Sequence, residues 1–423
     1  MLKKKSNKTI MYGAGCVGKL WYDCLVEYID ITGFIDNNPQ KQNDGYLGLP
    51  VFSVENFNKI KTDDTVVMVC IGDTVEKNKI IKQMEKQCGL KNNEQIFDIN
   101  NFLDELPVDK YLSIIYKKIQ KSVLFIDKPI TYNEKLKNKI LVLYECDIFY
   151  NALNIVNVDF LPFYKYWYDK INEYHKIIIL DAFLLCTTSK MRQMLLDAKN
   201  ASKYLCLLNS MKMWETLETE SKASVEAKAF FSHQSKGYKI YSYDENDCKK
   251  HNFYFNTTFY DKSIKLKELK ICYDIVFLGA LKDRAKKLTE VNSLLVKEKL
   301  KSYFGVICYE NHSKYSLPFK LHPPMQYNEY LNLVAQSKCI LDLSSYDQIG
   351  FSLRVMEAIF FNKKLITDNP AVKTASFYNP NNIYILDGED NRSIKNFLDL
   401  KFENYPDSLR CYYSVEEWIK RFD

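Results

Sequence analysis

The run Tyr273-Asp-Ile-Val-Phe-Leu-Gly279-Ala-Leu-Lys282-Asp-Arg284 reads as a largely apolar strand, a glycine turn carrying two cations, and the approach to a helix that begins at Ala285. A strand of this kind needs no polar face when helices cover both sides of a parallel sheet, so strand, glycine turn and helix together mark an α/β unit. At the mouth of such a sheet, the backbone N–H groups of the turn and the charges of Lys282 and Arg284 would converge on a diphosphate.

The same rhythm continues downstream. Cys339-Ile-Leu-Asp-Leu343 reads as a strand, Ser344-Ser345 as a loop, Gly350 as a turn and Phe351 to Phe361 as a helix, with strands again at Lys364-Leu-Ile-Thr367 and Asn382-Ile-Tyr-Ile-Leu386. Within Gln348-Ile-Gly-Phe-Ser-Leu-Arg354-Val-Met-Glu357-Ala358, the spacing of Gly350, Arg354 and Glu357 predicts one helix face, with the helix N-terminus aimed at the crevice beyond the strands. Candidate ligand-binding residues are therefore Gly279, Lys282, Arg284, Ser345, Gly350, Phe351, Ser352, Arg354 and Glu357. Arg354 would neutralise phosphate charge and Glu357 would accept ribose hydroxyls. The plainer alternative is an Arg–Glu pair that ties the helix to a neighbour.

Working upstream, the apolar runs Lys139-Ile-Leu-Val-Leu-Tyr144, Lys176-Ile-Ile-Ile-Leu-Asp181 and Tyr204-Leu-Cys-Leu-Leu-Asn209 alternate with helix-like stretches such as Lys190 to Lys199. They predict a second parallel sheet whose strand ends place Asp147, Asp181 and Asn209 near a common crevice. Between Pro107 and Lys139, helical spacing of Leu112, Ile115, Ile119 and Val123 predicts a connecting helix. Its Lys117, Lys118 and Lys121 suit an anionic membrane face or, more commonly, a solvated one.

The N-terminus has its own glycine cluster. Lys8-Thr-Ile-Met-Tyr-Gly13-Ala-Gly15-Cys-Val-Gly18-Lys-Leu is a strand, a turn and a helix start, in which Gly13 permits the turn, Gly15 a close phosphate and Gly18 close helix packing. Ile31-Thr-Gly-Phe-Ile-Asp36 ends in an acid at the offset expected of a ribose ligand, and Thr65 to Ile71 supplies a third strand. Gly13, Gly15, Gly18 and Asp36 are thus candidate nucleotide-binding residues, although helix packing alone would also explain the glycines.

Size and composition bound these readings. At roughly 100–200 residues per domain, 423 residues predict two to four domains. The boundaries read as 1–105 for a small Rossmann-like domain, 106–138 for a helical linker, and 139–270 and 271–423 for two further Rossmann-like domains. No apolar run approaches the ~18 residues of a membrane span. The basic start lacks an apolar core and a cleavage site, so secretion is not expected. Twelve cysteines without a C-x-x-C pair fit a reduced cytoplasm and no metal site. The net charge of +6 permits anionic ligands, but no nucleic-acid signature accompanies it.

Two resemblances follow from these motifs. Gly33-Phe-Ile-Asp-Asn-Asn-Pro39 with Gly48-Leu-Pro-Val-Phe, within residues 8 to 105, resembles the small Rossmann domains attached to sugar acetyltransferases and sugar methyltransferases. Residues 139 to 415 resemble a GT-B glycosyltransferase of the bacterial lipopolysaccharide and capsule type, on the strength of Tyr273 to Gly279 with Lys282 and Arg284, and of Gly350 to Glu357. The second resemblance implies a cytoplasmic enzyme, peripheral at most to the inner membrane face. Its donor would be a nucleotide-diphosphate sugar held without metal in the last domain, and its glycan or lipid-linked glycan acceptor would sit in the preceding domain. The N-terminal domain leaves room for a second nucleotide ligand.

Many retaining GT-B enzymes carry two glutamates eight residues apart, and here the first of those positions is Ile349. The stereochemical outcome therefore stays open. An inverting reaction would need an acid from the middle domain, with Asp147 and Asp181 as candidate catalytic bases, each of which could equally be a strand-end capping residue. Two other readings remain. One is a non-catalytic nucleotide-sugar scaffold or sensor. The other is an NAD-dependent sugar-nucleotide oxidoreductase or epimerase, for which Tyr166-Trp-Tyr-Asp-Lys170 supplies a Y-x-x-x-K match.

Overall fold

A computed structural model describes residues 8–117 apart from scattered positions, then 140–144, 158–162, 168–181, 195–216 apart from 196, 237–307, 317–322, 325–386 and 388–422. The long apolar runs become three sheets in which every strand pairing is parallel. The first holds β1 (Thr9–Tyr12), β2 (Ile31–Ile35), β3 (Val51–Phe52), β4 (Val66–Val69) and β5 (Ile96–Asp98) in the order β3-β2-β1-β4-β5. The second holds β6 (Ile140–Tyr144), β7 (Asp159–Pro162), β8 (Lys176–Leu180), β9 (Ser202–Leu207), β10 (Lys239–Ser242) and β11 (Tyr254–Phe255), ordered β11-β10-β9-β8-β6-β7. The third holds β12 (Tyr273–Ala280), β13 (Ser302–Ile307), β14 (Leu321–His322), β15 (Ser337–Asp342), β16 (Lys364–Thr367) and β17 (Ile383–Ile385), ordered β14-β13-β12-β15-β16-β17.

Each order is doubly wound, so the expected class of α/β with three Rossmann-like units is the one observed. Winding outward in both directions creates a switch point where the chain direction reverses, and ligands bind beyond the strand carboxyl ends there. The switch points fall between β1 and β4, β6 and β8, and β12 and β15.

Strands lacking alternation are covered on both faces. In β12, Ile275 and Phe277 enter one hydrophobic cluster while Val276 and Leu278 enter another. In β8, Ile177 and Ile179 join a cluster shared with the first unit, and Ile178 and Leu180 one shared with the last. The middle sheet is thus packed from both sides by its neighbours. The last helix, Val415–Lys420, sends Phe422 back to that sheet, where its ring lies 4.7 Å from Tyr241.

Several expectations moved by a residue or two, and others were missing altogether. The helix read as Phe351 to Phe361 runs over Leu353–Phe360, because the Ser352 hydroxyl caps it by accepting the Arg354 N–H at 3.2 Å. The edge strands β11 and β14 have two residues each, too short to show periodicity. Asp147, Tyr166, Lys118 and Lys121, and most of the 106–138 segment and the Lys190 to Lys199 helix, lie outside the described residues. Among the described residues no helix is long and apolar enough to cross a membrane.

Candidate functional site

A cavity lies at the β12/β15 switch point, between the carboxyl ends of the last and middle sheets. The last unit lines it with Lys282, Arg284, Arg354, Ser345, Phe351 and Ser352, and the middle unit with Asp181, Asn209 and Tyr243. Lys282 and Arg284 arrive from the turn after β12, and Arg354 from the first turn of helix Leu353–Phe360. A Cβ at Gly279 would lie 2.9 Å from Arg354 Nη1, so the glycine lets that guanidinium cross the strand end.

Three cations therefore share a narrow space. Both guanidiniums lie over the Phe277 ring, at 5.3 Å for Arg284 and 5.4 Å for Arg354. Arg354 donates Nε–H to Asp342 at 3.0 Å and Nη1–H to the Leu278 carbonyl at 3.2 Å. Burial opposes its charge, but Asp342 together with Tyr330 and Glu357 outweighs that and holds its pKa above the ordinary value. Arg284 donates to the Leu343 and Ala280 carbonyls, while its buried Nε has no partner. Burial and the Arg354 charge push Arg284 down to about 10. Lys282 keeps solvent access at the mouth of the cavity, yet the surrounding protein partly desolvates it, and with Arg284 and Arg354 this pushes it down to about 8. An anion placed among the three would relieve this mutual repulsion.

The middle unit is pinned to the loop that precedes the Arg354 helix. Asp244 accepts the N–H groups of Ile349 at 2.7 Å and Gly350 at 3.1 Å with one oxygen, and with the other caps its own helix Glu245–His251. The Tyr243 hydroxyl donates to Gln348 at 2.7 Å. A Cβ at Gly350 would come within 2.5 Å of the Tyr243 ring. Gly350→Ala is therefore expected to cost about 1–3 kcal/mol of stability through overpacking, read as a lower midpoint in urea.

The structure brings Lys282, Arg284, Ser345, Phe351, Ser352 and Arg354 together as expected, with Gly279 and Gly350 supplying backbone clearance behind them. Glu357 requires a correction. It does not line the cavity; it is fully buried, and its carboxylate accepts the hydroxyls of Tyr327, at 2.8 Å, and Tyr330. Asp181 does line the cavity but is 1% exposed, with its Oδ2 accepting from Asn209 N, Asn209 Nδ2 and Trp214 Nε1. Burial pushes its carboxyl up against those hydrogen bonds. A carboxylate so enclosed holds its neighbours in place at the edge of the cavity.

Asp342, Tyr243, Asp244 and Gln348 were not singled out from sequence. Asp342 had one available signal, an acid closing the apolar run of β15. It is 2% exposed and gathers Ser352 at 2.7 Å, Arg354 and Thr367.

In the first unit, Gly13 adopts φ +106° at the turn, and a Cβ at Gly18 would sit 1.8 Å from the Gly13 carbonyl oxygen. Gly15 precedes helix Cys16–Leu25. Asp36 accepts the Ala14 N–H at 2.9 Å and the Asn38 N–H at 2.9 Å, and pairs with Lys41 at 3.3 Å. Burial would raise its pKa, but these donors prevail and hold it below the ordinary range. Asp36 thus organises the glycine loop instead of presenting a free carboxylate to a ribose.

Residues 8–84 match the family model of the PglD N-terminal domain. Among solved structures, the chain is similar to T4 phage BGT in complex with its UDP-glucose substrate, at 12% identity over 65% of this chain and 91% of that one, with a TM-score of 0.37. It is also similar to the methyltransferase FkbM from Methylobacillus flagellatus KT, at 10% identity over 54% of this chain and 77% of that one, with a TM-score of 0.19. Likenesses that remote say nothing about activity. No curated protein matches the chain.

Proposed function

We propose that the protein is a GT-B glycosyltransferase that takes a sugar from a nucleotide-diphosphate donor held in the last unit and passes it to a glycan acceptor, of the bacterial surface type, held in the middle unit. The observation that carries this reading is the set of three cations, Lys282, Arg284 and Arg354, converging at a switch-point cavity with one carboxylate, Asp181, in its lining among the described residues. In glycosyl transfer, charge develops on the leaving diphosphate, and preorganised cations placed there lower the barrier without reorganising. Protein cations would do this work in place of a metal. The domain boundaries 139–270 and 271–423 belong to the same proposal, as does a cytoplasmic location.

One observation favours a second reading, a non-catalytic nucleotide-sugar-binding module: Asp181, the lining carboxylate, is enclosed by donors. Incubation of the protein with a panel of nucleotide-diphosphate sugars and glycan acceptors, followed by mass spectrometry, separates the two. Transfer is the expected result. Binding without transfer or hydrolysis across the panel would favour the module.

A further inference from the structure

We infer that Asn209 is a positioning residue of this cleft: locked by Asp181, its carboxamide oxygen holds the Lys282 ammonium in place across the gap between the middle and last units. The inference rests on the anion-site reading above.

The orientation of an amide side chain is fixed by what surrounds it. Asn209 Nδ2 lies 3.2 Å and its backbone N 3.1 Å from Asp181 Oδ2, so the amide nitrogen must face the carboxylate; turned the other way, two acceptors would oppose each other in a buried place. Trp214 Nε1, at 3.1 Å from the same oxygen, keeps Asp181 from turning. The Asn209 oxygen is left facing Lys282 Nζ, 3.4 Å away. Asp181 and Asn209 follow β8 and β9 of the middle sheet, whereas Lys282 follows β12 of the last, so the contact joins the two units. A neutral acceptor can steady the ammonium here without neutralising it, which leaves its charge available to a phosphate.

The charges facing Lys282 are Arg284 and Arg354, which repel it, and Asp181 and Asp283, which attract it; the Tyr346 ring lies 6.0 Å away. Crowding and the two arginines already bring Lys282 down to about 8, close enough to neutral pH for the loss of one hydrogen bond to show in how much of it is charged.

The test is calorimetric binding of inorganic pyrophosphate to the full-length protein between pH 6 and pH 10, for the native protein, Asn209→Ala and Asn209→Leu, neither of which changes a charge. Affinity for pyrophosphate is expected to fall as Lys282 loses its proton. In both variants that fall should begin lower by about 0.5–1 pH unit, the worth of one lost hydrogen bond. A role confined to packing would lower the melting temperature and leave the pH midpoint alone. Should Asn209→Ala fail to fold, Asn209→Leu, which keeps the volume and removes the acceptor, carries the comparison. Unmoved midpoints in folded variants that still bind overturn this inference and spare the anion site. Absence of pyrophosphate binding by the native protein at every pH overturns both.

Discussion

Arg354→Ala is expected to lose about 3–5 kcal/mol of stability and to abolish measurable binding of nucleoside diphosphates. The first effect follows from Asp342, which is 2% exposed and, among the described residues, loses its ion-pair partner and keeps the Ser352 and Thr367 hydroxyls. An unpaired buried carboxylate is far more costly than the pair was worth. The second effect follows from the cavity, where Arg354 supplies one of three cations. Arg354→Lys separates the two, because it keeps the charge but cannot span both Asp342 and the Leu278 carbonyl. Its stability should lie between those of the native protein and the alanine variant, with weakened binding. Urea unfolding and calorimetric titration of the three proteins check this.

The second large effect concerns Glu357 and pH. Burial pushes its carboxyl up to about 7, against the hydroxyls of Tyr330 and Tyr327 and the charge of Arg354, which pull it down. In the unfolded chain the value returns to about 4.5. Between those limits the native state holds a proton that the unfolded state has released, so this group's contribution to stability falls as pH rises from about 4.5 through about 7. A shift of this size corresponds to roughly 3 kcal/mol. Glu357→Gln cannot titrate. It should match the native protein in urea at pH 4.5 and exceed it by roughly 3 kcal/mol at pH 8. Parallel stability profiles for the two proteins would show that folding does not raise the Glu357 pKa.

The strands were legible because β6, β8, β9 and β12 are covered on both faces, which leaves runs such as Ile177-Ile-Ile-Leu180 with no polar residue to confuse the reading. Lys282 and Arg284 were legible because a turn brings neighbours in sequence together in space. Glu357 does share a helix face with Arg354, three residues on, but one turn further from the cap the fold closes over it, and the face itself was drawn with one residue too many. The face drawn through Gly350, Arg354 and Glu357 counted from Gly350, but the helix starts at Leu353, so helical spacing does not apply to the first of the three. The sequence also held no sign that Tyr327 and Tyr330, on helix Tyr327–Ala335, would take both carboxylate oxygens. Asp181 was found at the correct strand end, but its role depends on Trp214, which is brought to it by the fold and not by proximity along the chain. The links from Tyr243 and Asp244 to the loop before the Arg354 helix span 105 and 106 residues, beyond the reach of any local pattern.

The central claim is that the switch-point cavity of the last sheet holds the diphosphate of a nucleotide sugar. Crystals soaked with a panel of nucleotide-diphosphate sugars test it most directly. The account predicts diphosphate density among Lys282, Arg284 and Arg354, beside the cap of helix Leu353–Phe360. Density confined to the glycine loop at Gly13 to Asp36 in the first unit, with the cavity left empty by every donor in the panel, would contradict it.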